Sequence, residues 1–145
     1  MELDELMLAL RDAVAADAAS PESIGAALHA EVVRAEAPMP WELRLAEPRV
    51  TSAALVLQAD GELSHLELVL APASDLALGK LSALFGEPHP LPLMHWNRPA
   101  QVAFYPATRP GQRFTCAIIA SLSPGEDPTP SSRVSGLVFR RDPVL

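Results

Sequence analysis

The chain has 145 residues, of which 49% are hydrophobic and 20% are charged, and these values are typical of one folded domain and exclude a disordered chain. The net charge of −7 is concentrated in residues 1–36, which hold eight acidic and two basic residues. Because such a segment repels phosphate groups, nucleic acids and acidic membrane surfaces are disfavoured as partners. A single cysteine, Cys116, excludes an intrachain disulfide.

The expected location is the cytoplasm of a bacterium. No apolar run approaches the ~20 residues that cross a bilayer. The first residues are acidic where a secretory signal carries basic residues. The chain has one lysine and ten arginines, a ratio that suggests a GC-rich bacterial genome.

Two helices are predicted at the N-terminus. Apolar residues recur at helical spacing over residues 2–19, with acidic residues on the opposite side. Ser20-Pro21-Glu22 then supplies an N-cap hydroxyl, a proline at the first helical position and an early acid, which predicts a second helix that ends before Pro38. We expect an αα-hairpin, whose acidic face is either solvated or a docking surface for a basic partner.

The next segments predict strands. Trp41–Leu45 alternates between apolar and polar residues and is a candidate first strand. Thr51–Ala59 and Glu62–Leu70 are predicted as the arms of a β-hairpin, because Asp60-Gly61 between them is a favoured two-residue turn. Pro72 ends the second arm.

A third helix is predicted over Asp75–Phe85, capped by Ser74-Asp75 and ended by Gly86. Four prolines lie in the passage Glu87–Pro99, which we interpret as an ordered surface loop because proline stiffens the chain and lacks an N–H donor.

A second hairpin is predicted from Gln101–Tyr105, a turn at Pro110-Gly111, and Arg113–Leu122. Its arms show the period-two alternation of strands with one buried face. Ser123–Ser132 has the composition of a loop, and Val134–Arg141 is predicted as the last strand.

These elements predict an α+β fold in the order ααβββαβββ. An antiparallel sheet of about six strands is covered on one face by the N-terminal αα-hairpin and the middle helix. The chain is expected to form one domain over residues 1–145. A faint repeat in the order of elements suggests two degenerate helix-βββ halves, 1–73 and 74–145.

The second half resembles a known module. Leu84–Pro88 closes a helix and Trp96 opens three antiparallel strands, which resembles the small helix-plus-meander module of outer-membrane assembly lipoproteins and β-lactamase-inhibitor proteins. The chain differs from those families because its first residues show no export signal or lipid-acceptor cysteine, and it has no paired cysteines. The resemblance implies a protein-binding module and does not imply the families' locations or partners.

The candidate chemical groups do not form a catalytic pattern. Cys116 shares an alternating face with Phe114 and Ile118, which predicts a buried apolar side chain and not a nucleophile. His89 and His95 are six residues apart, a spacing that matches no standard metal site. We found no nucleophile elbow, phosphate-binding loop or zinc-protease helix. The sequence therefore predicts no catalytic residue, no metal and no cofactor.

The predicted interaction residues are aromatic and polar. His95, Trp96, Asn97 and Arg98 form a cluster before the second hairpin, and Trp and Arg dominate the energetics of protein interfaces. The other two candidates are Trp41 and Tyr105. The alternative for this cluster is that Trp96 packs over the end of the core while its neighbours are solvated.

The predicted function is a non-enzymatic protein-interaction module: an adaptor, a chaperone or an inhibitor-like binder. Its partner is another protein or a second copy of the chain in a homodimer. The alternative is a small-ligand-binding protein or enzyme with a pocket between helices and sheet, using His95, Tyr105, Arg113 or Cys116. That alternative needs a cavity of about 300 Å³ or more.

Overall fold

The computed structural model describes residues 2–92, 100–122 and 128–144. Three α-helices lie in these ranges, α1 (Leu3–Ala15), α2 (Pro21–Leu28) and α3 (Leu78–Phe85). None of the helices in the described ranges is both long and apolar enough to span a membrane.

The described residues contain eight strands that form one open, antiparallel sheet. The strands are β1 (Glu31–Val33), β2 (Trp41–Arg44), β3 (Val50–Leu57), β4 (Leu63–Leu70), β5 (His89–Pro90), β6 (Gln101–Phe104), β7 (Phe114–Leu122) and β8 (Val134–Pro143). Their spatial order is β1-β2-β3-β4-β8-β7-β6-β5, so two four-stranded meanders meet at the central pair β4–β8. The α+β class and the antiparallel sheet are confirmed, and the predicted number of about six strands is corrected to eight.

The two additional strands lie at the edges of the sheet. The sequence pattern predicted that the second helix would end before Pro38. In the structure α2 ends already at Leu28, because His29 adopts a left-handed conformation with φ 52°. The chain then turns into β1. β5 lies in the passage predicted as a loop, and its proline is tolerated because an edge strand can leave an N–H position empty.

All three helices contribute side chains to one core on one face of the sheet. α1 crosses β7, β8 and β4 and buries Met7 and Leu10 completely. Beneath it, Phe139 lies between its cross-strand neighbours Leu66 and Ile118. The predicted inward alternation of the central strands is therefore present, and it brings strands from both halves of the chain into the same core.

The start of α3 differs from the prediction. Ser74 does not cap the helix, because Pro72–Ser74 forms a short 3₁₀ turn and α3 begins only at Leu78. The N–H of Leu78 donates to the carbonyl of Ser132 and that of Gly79 to the carbonyl of Pro130, both at an N···O distance of 2.8 Å. A distant loop thus satisfies the helix terminus in place of a local side chain.

Arg141 ties the last strand to the first helix. It is 7% exposed, and its guanidinium lies 3.4 Å from the centre of the Phe114 ring. It donates to the carbonyls of Ala16 and Asp17 over 3.0 Å and more weakly to that of Val14 over 3.5 Å. Burial lowers the pKa of Arg141, yet a guanidinium keeps its charge at any physiological pH. The positive group therefore satisfies carbonyls that the end of α1 leaves free.

Candidate interaction surfaces

The sheet has a face that the helices do not cover, called here the open face. Ala54, Glu67, Val138, Ile119 and Ala103 form one row across β3, β4, β8, β7 and β6. Successive residues of a strand point to opposite faces, and the neighbours of this row along each strand are core residues. The row therefore points away from the helices.

An apolar stripe crosses the open face. Val69 is 49% exposed, and Val56, Val138 and Ile119 are half-buried. The water-facing side of an antiparallel sheet usually carries polar side chains at such positions. The stripe is thus apolar surface in a place where solvation alone would favour polar residues.

Charged side chains of β4 and β8 on the open face have partners within it. His65 Nε2 lies 2.9 Å from Glu67 Oε1 on β4. On β8, Arg140 donates hydrogen bonds of 2.9 and 3.0 Å to the two carboxylate oxygens of Asp142. This hydrogen bonding is the main cause of the raised pKa of Arg140. Charges that already have partners cost less to cover with another surface than isolated ones.

Two of the six predicted interaction residues lie in the described ranges, and they are far apart in the sheet order. Tyr105 is 54% exposed beyond β6, and its ring centroid lies 5.3 Å from that of His89, the partner of Ala103 on the open face. Trp41 pairs with Leu55 and is half-buried against the core, with the Arg34 guanidinium 5.5 Å from its ring. The cluster His95–Arg98 lies outside the described residues.

A cleft of about 600 Å³ opens between the helices and the sheet. Its walls are the C-terminal half of α1, the end of α3, the loop 106–112 and the start of β7. This volume exceeds the minimum that a small-ligand pocket requires. Of the four residues named for that alternative, Cys116 lines the cleft, Tyr105 and Arg113 are not among its lining residues, and His95 lies outside the described ranges.

Three of the side chains that line the cleft, Arg11, Asp12 and Cys116, are paired or protonated. Arg11 Nε and Nη2 lie 3.0 and 2.9 Å from Asp12 Oδ1, and Arg109 lies 4.0 Å from the same oxygen. Burial raises the pKa of the Cys116 thiol far above its ordinary value, so the thiol stays protonated at neutral pH. No group of three or more His, Cys, Asp or Glu side chains in the described ranges is arranged to hold a metal ion.

The sequence reasoning missed the apolar stripe on the open face. The alternation along β4 predicted inward leucines and outward His65 and Glu67. The next outward position of the same strand is Val69, and it was not considered as part of a surface. Reading the outward positions of every strand for valine and isoleucine would have found Val69, Val138 and Ile119.

Comparison with known proteins adds no family. No protein-family model matches the chain, and no curated protein matches it. Among solved structures, the chain is similar to a DUF4309 family protein (YjgB) from Bacillus subtilis subsp. subtilis str. 168, with a TM-score of 0.45 and 8% sequence identity over 94% of this chain and 96% of that one. At this TM-score the similarity carries no argument about function.

Proposed function

We propose that the protein is a non-enzymatic protein-interaction module that binds a second protein through the open face of its sheet. The observation that carries this proposal is the apolar stripe of Val69, Val138 and Ile119 on the face that the helices leave uncovered. Contiguous exposed apolar surface is typical of interaction sites. The hydrogen bond between His65 and Glu67 supports it, since the Glu67 carboxylate then keeps a polar partner when the face is covered.

The expected interface is small. Ala103 and Ala117 are each 1% exposed, so the accessible part of the open face lies on β3, β4, β8 and the end of β7 near Ile119. Four strands about 4.8 Å apart with about six shared residues give a face of roughly 400 Å². Two such surfaces bury about 800 Å² together, which is below the ~1,000 Å² of a stable specific interface. We therefore expect weak, reversible association.

A second copy of the chain is the partner to which the charge distribution points. The acidic excess of residues 1–36 lies on α1, α2 and the segment around β1. Two copies that met through their helices would bring these acidic surfaces together. Contact through the open face avoids that repulsion, because Arg140 and Asp142 already neutralise each other there.

Sedimentation velocity from about 1 μM to about 1 mM tests this proposal, because that range covers weak association. The interface variant is Val138→Glu, and the control is Ala27→Glu at an exposed position of α2. The native chain and the control should shift toward the dimer mass as concentration rises, while Val138→Glu stays monomeric. A native chain that is monomeric throughout, or a Val138→Glu variant that associates like the native chain, contradicts the proposal.

The cleft supports a second candidate function, the binding of a small ligand between helices and sheet. Its volume of about 600 Å³ favours this candidate. The protonated Cys116 thiol and the paired Arg11 and Asp12 favour binding over catalysis. A thermal-shift screen of small metabolites should then find compounds that stabilise the native chain but not Ala16→Trp, which fills the mouth of the cleft.

A further inference from the structure

Part of the edge of β7 lacks a neighbouring strand within the described sheet. Every part of β7, from Phe114 to Leu122, lies beside β8. On the other side, β6 ends at Phe104, opposite Ile118. Within the described residues, positions 114–117 of β7 therefore have a strand partner on the β8 side only.

The hydrogen-bond pattern identifies the groups at this edge. In an antiparallel strand the N–H and C=O of one residue point to one side, and those of the next residue point to the other. The N–H of Val144 donates to Arg113 O on the β8 side, and the N–H of Leu122 donates to Ala100 O on the β6 side. Odd-numbered residues of β7 therefore face β8, and even-numbered residues face β6. Phe114 and Cys116 thus direct their backbone groups beyond the end of β6.

A proline explains why β6 stops there. In the register of the β6–β7 pair, Pro106 is the residue that would come opposite Cys116. Proline cannot donate a hydrogen bond to the Cys116 carbonyl. The chain leaves the sheet and returns at Arg113, and the loop 106–112 forms the outer wall of the cleft. The cleft therefore begins where a continued β6 would lie.

The backbone of Cys116 has little access to water. The residue is 2% exposed, and no described backbone group bonds to its N–H or C=O on the β6 side. A buried backbone group without a partner costs about as much as a lost hydrogen bond. A ligand that supplies a backbone N–H and C=O at this point removes that cost.

We infer that the cleft binds an extended peptide segment of another protein, which pairs with Phe114 and Cys116 and continues the line of β6. This inference rests on the proposed role in protein interaction but uses a different surface. The added strand spans three to four residues, because the free edge is about 10 Å long at 3.4 Å per residue. Its residues opposite Phe114 and Cys116 point toward the helices, where Leu84 and Phe85 offer apolar contacts beside the charged pair Arg11 and Asp12.

A random dodecapeptide library displayed on phage is the probe. Peptides selected on the native chain should lose binding to Ala16→Trp, because Ala16 is exposed and lines the cleft. The matched control is Ala18→Trp, an exposed position on the same connection that does not line the cleft. Enrichment of no peptide, or equal binding to both variants, would overturn the inference.

Methylation of single backbone nitrogens in a selected peptide tests the pairing itself. Strand addition predicts a loss of at least about fivefold in affinity at alternate positions and smaller effects between them, since one hydrogen bond is removed at each sensitive position. Side-chain binding without strand pairing gives no such alternation and refutes the inference.

Amide exchange measured by NMR gives a second readout. In the free protein the amide of the half-buried Phe114 should exchange faster than that of Thr115, whose backbone faces β8, and the peptide should slow the exchange of Phe114. Protection of Phe114 in the free protein as strong as that of Thr115 would contradict the open edge. Val138→Glu should leave peptide binding unchanged, so a native chain that dimerises but binds no peptide refutes this inference alone.

Discussion

Replacing Arg141 by methionine tests whether the last strand holds the first helix through one buried guanidinium. Methionine keeps much of the apolar stem but removes the donors to the Ala16 and Asp17 carbonyls. It also removes the cation that lies 3.4 Å from the Phe114 ring centre. The end of α1 then has no group to satisfy its carbonyls on the protein side.

The expected loss of stability is about 2–4 kcal/mol. A hydrogen bond from a charged donor contributes about 1.5–3 kcal/mol, and two such bonds of 3.0 Å are lost. The contact with Phe114 adds about 0.5–2 kcal/mol. Water reaches the exposed Ala16 and Asp17 in the variant, and the desolvation cost of the guanidinium disappears. These two effects bring the sum down to the stated range.

Urea unfolding followed by circular dichroism measures this loss, with Arg140→Met as the neighbouring control. Arg140 pairs with Asp142 on the open face, where such pairs contribute about 0–1 kcal/mol. Thermal unfolding should show a decrease of about 6–12 °C for Arg141→Met, given about 3 °C per kcal/mol for a chain of this length. Equal losses in the two variants would refute the reasoning, since the buried cap would then be worth no more than a surface pair.

Three further predictions concern other sites. The hydrogen bond from Arg49 lowers the pKa of Glu47, so the ionised carboxylate stabilises the folded state. That stabilisation should be present above pH ~4.5, the ordinary pKa of the carboxyl, and should be lost as the pH falls through the lower pKa of the folded state. The free energy of unfolding in urea should therefore depend less on pH in Glu47→Gln than in the native chain. The Cys116 thiol, whose pKa burial raises, should react with dithionitrobenzoate only after unfolding, and fast reaction of the native chain would contradict its place in the core. Gly25→Ala should cost about 1–3 kcal/mol in urea unfolding despite the helix preference of alanine, because its Cβ would lie 2.5 Å from Val32 Cγ2; an unchanged midpoint would show that Val32 moves aside.

Patterns that depend on near neighbours were predicted well from the sequence. The hairpin of β3 and β4 follows from alternation, and Gly61 has the positive φ of 87° expected of a turn glycine. The predicted two-residue turn at Asp60-Gly61 is corrected to a three-residue loop, Ala59–Gly61, because the N–H of Gln58 donates to Glu62 O. The start of α2 follows from Ser20, whose side chain accepts from Ser23 N while Ser23 Oγ accepts from Ser20 N. In both cases the groups that decide the structure lie within a few residues.

The misassigned features depend on distant residues. The carbonyls that receive the first N–H groups of α3 belong to Pro130 and Ser132, so local capping rules placed its start too early. β1 is three residues long and is defined by its pairing with β2, which no window around Val32 contains. The possible duplication of the two halves stays a prediction, although each half contributes one four-stranded meander.

The candidate site was predicted less well than the fold, for a physical reason. Trp41 and Tyr105 were chosen for residue type, yet the register turns Trp41 toward the core side and leaves Tyr105 exposed. The apolar stripe and the unmatched edge of β7 depend on which strands pair and in which register. Val69, for example, becomes part of an apolar stripe only because β3 and β8 lie on either side of it. Residue type alone does not reveal such sites.

The topology itself limits where a partner can add to the sheet. The outer strands β1 and β5 have three and two residues, and β5 ends in Pro90, so the outer edges give little backbone for pairing. β7 is different, because its nine residues are longer than the four of its neighbour β6. An unmatched edge of β7 thus lies inside the sheet, beside the cleft, where the loop 106–112 shelters it. An edge in this position favours selective recognition of a strand over open-ended aggregation.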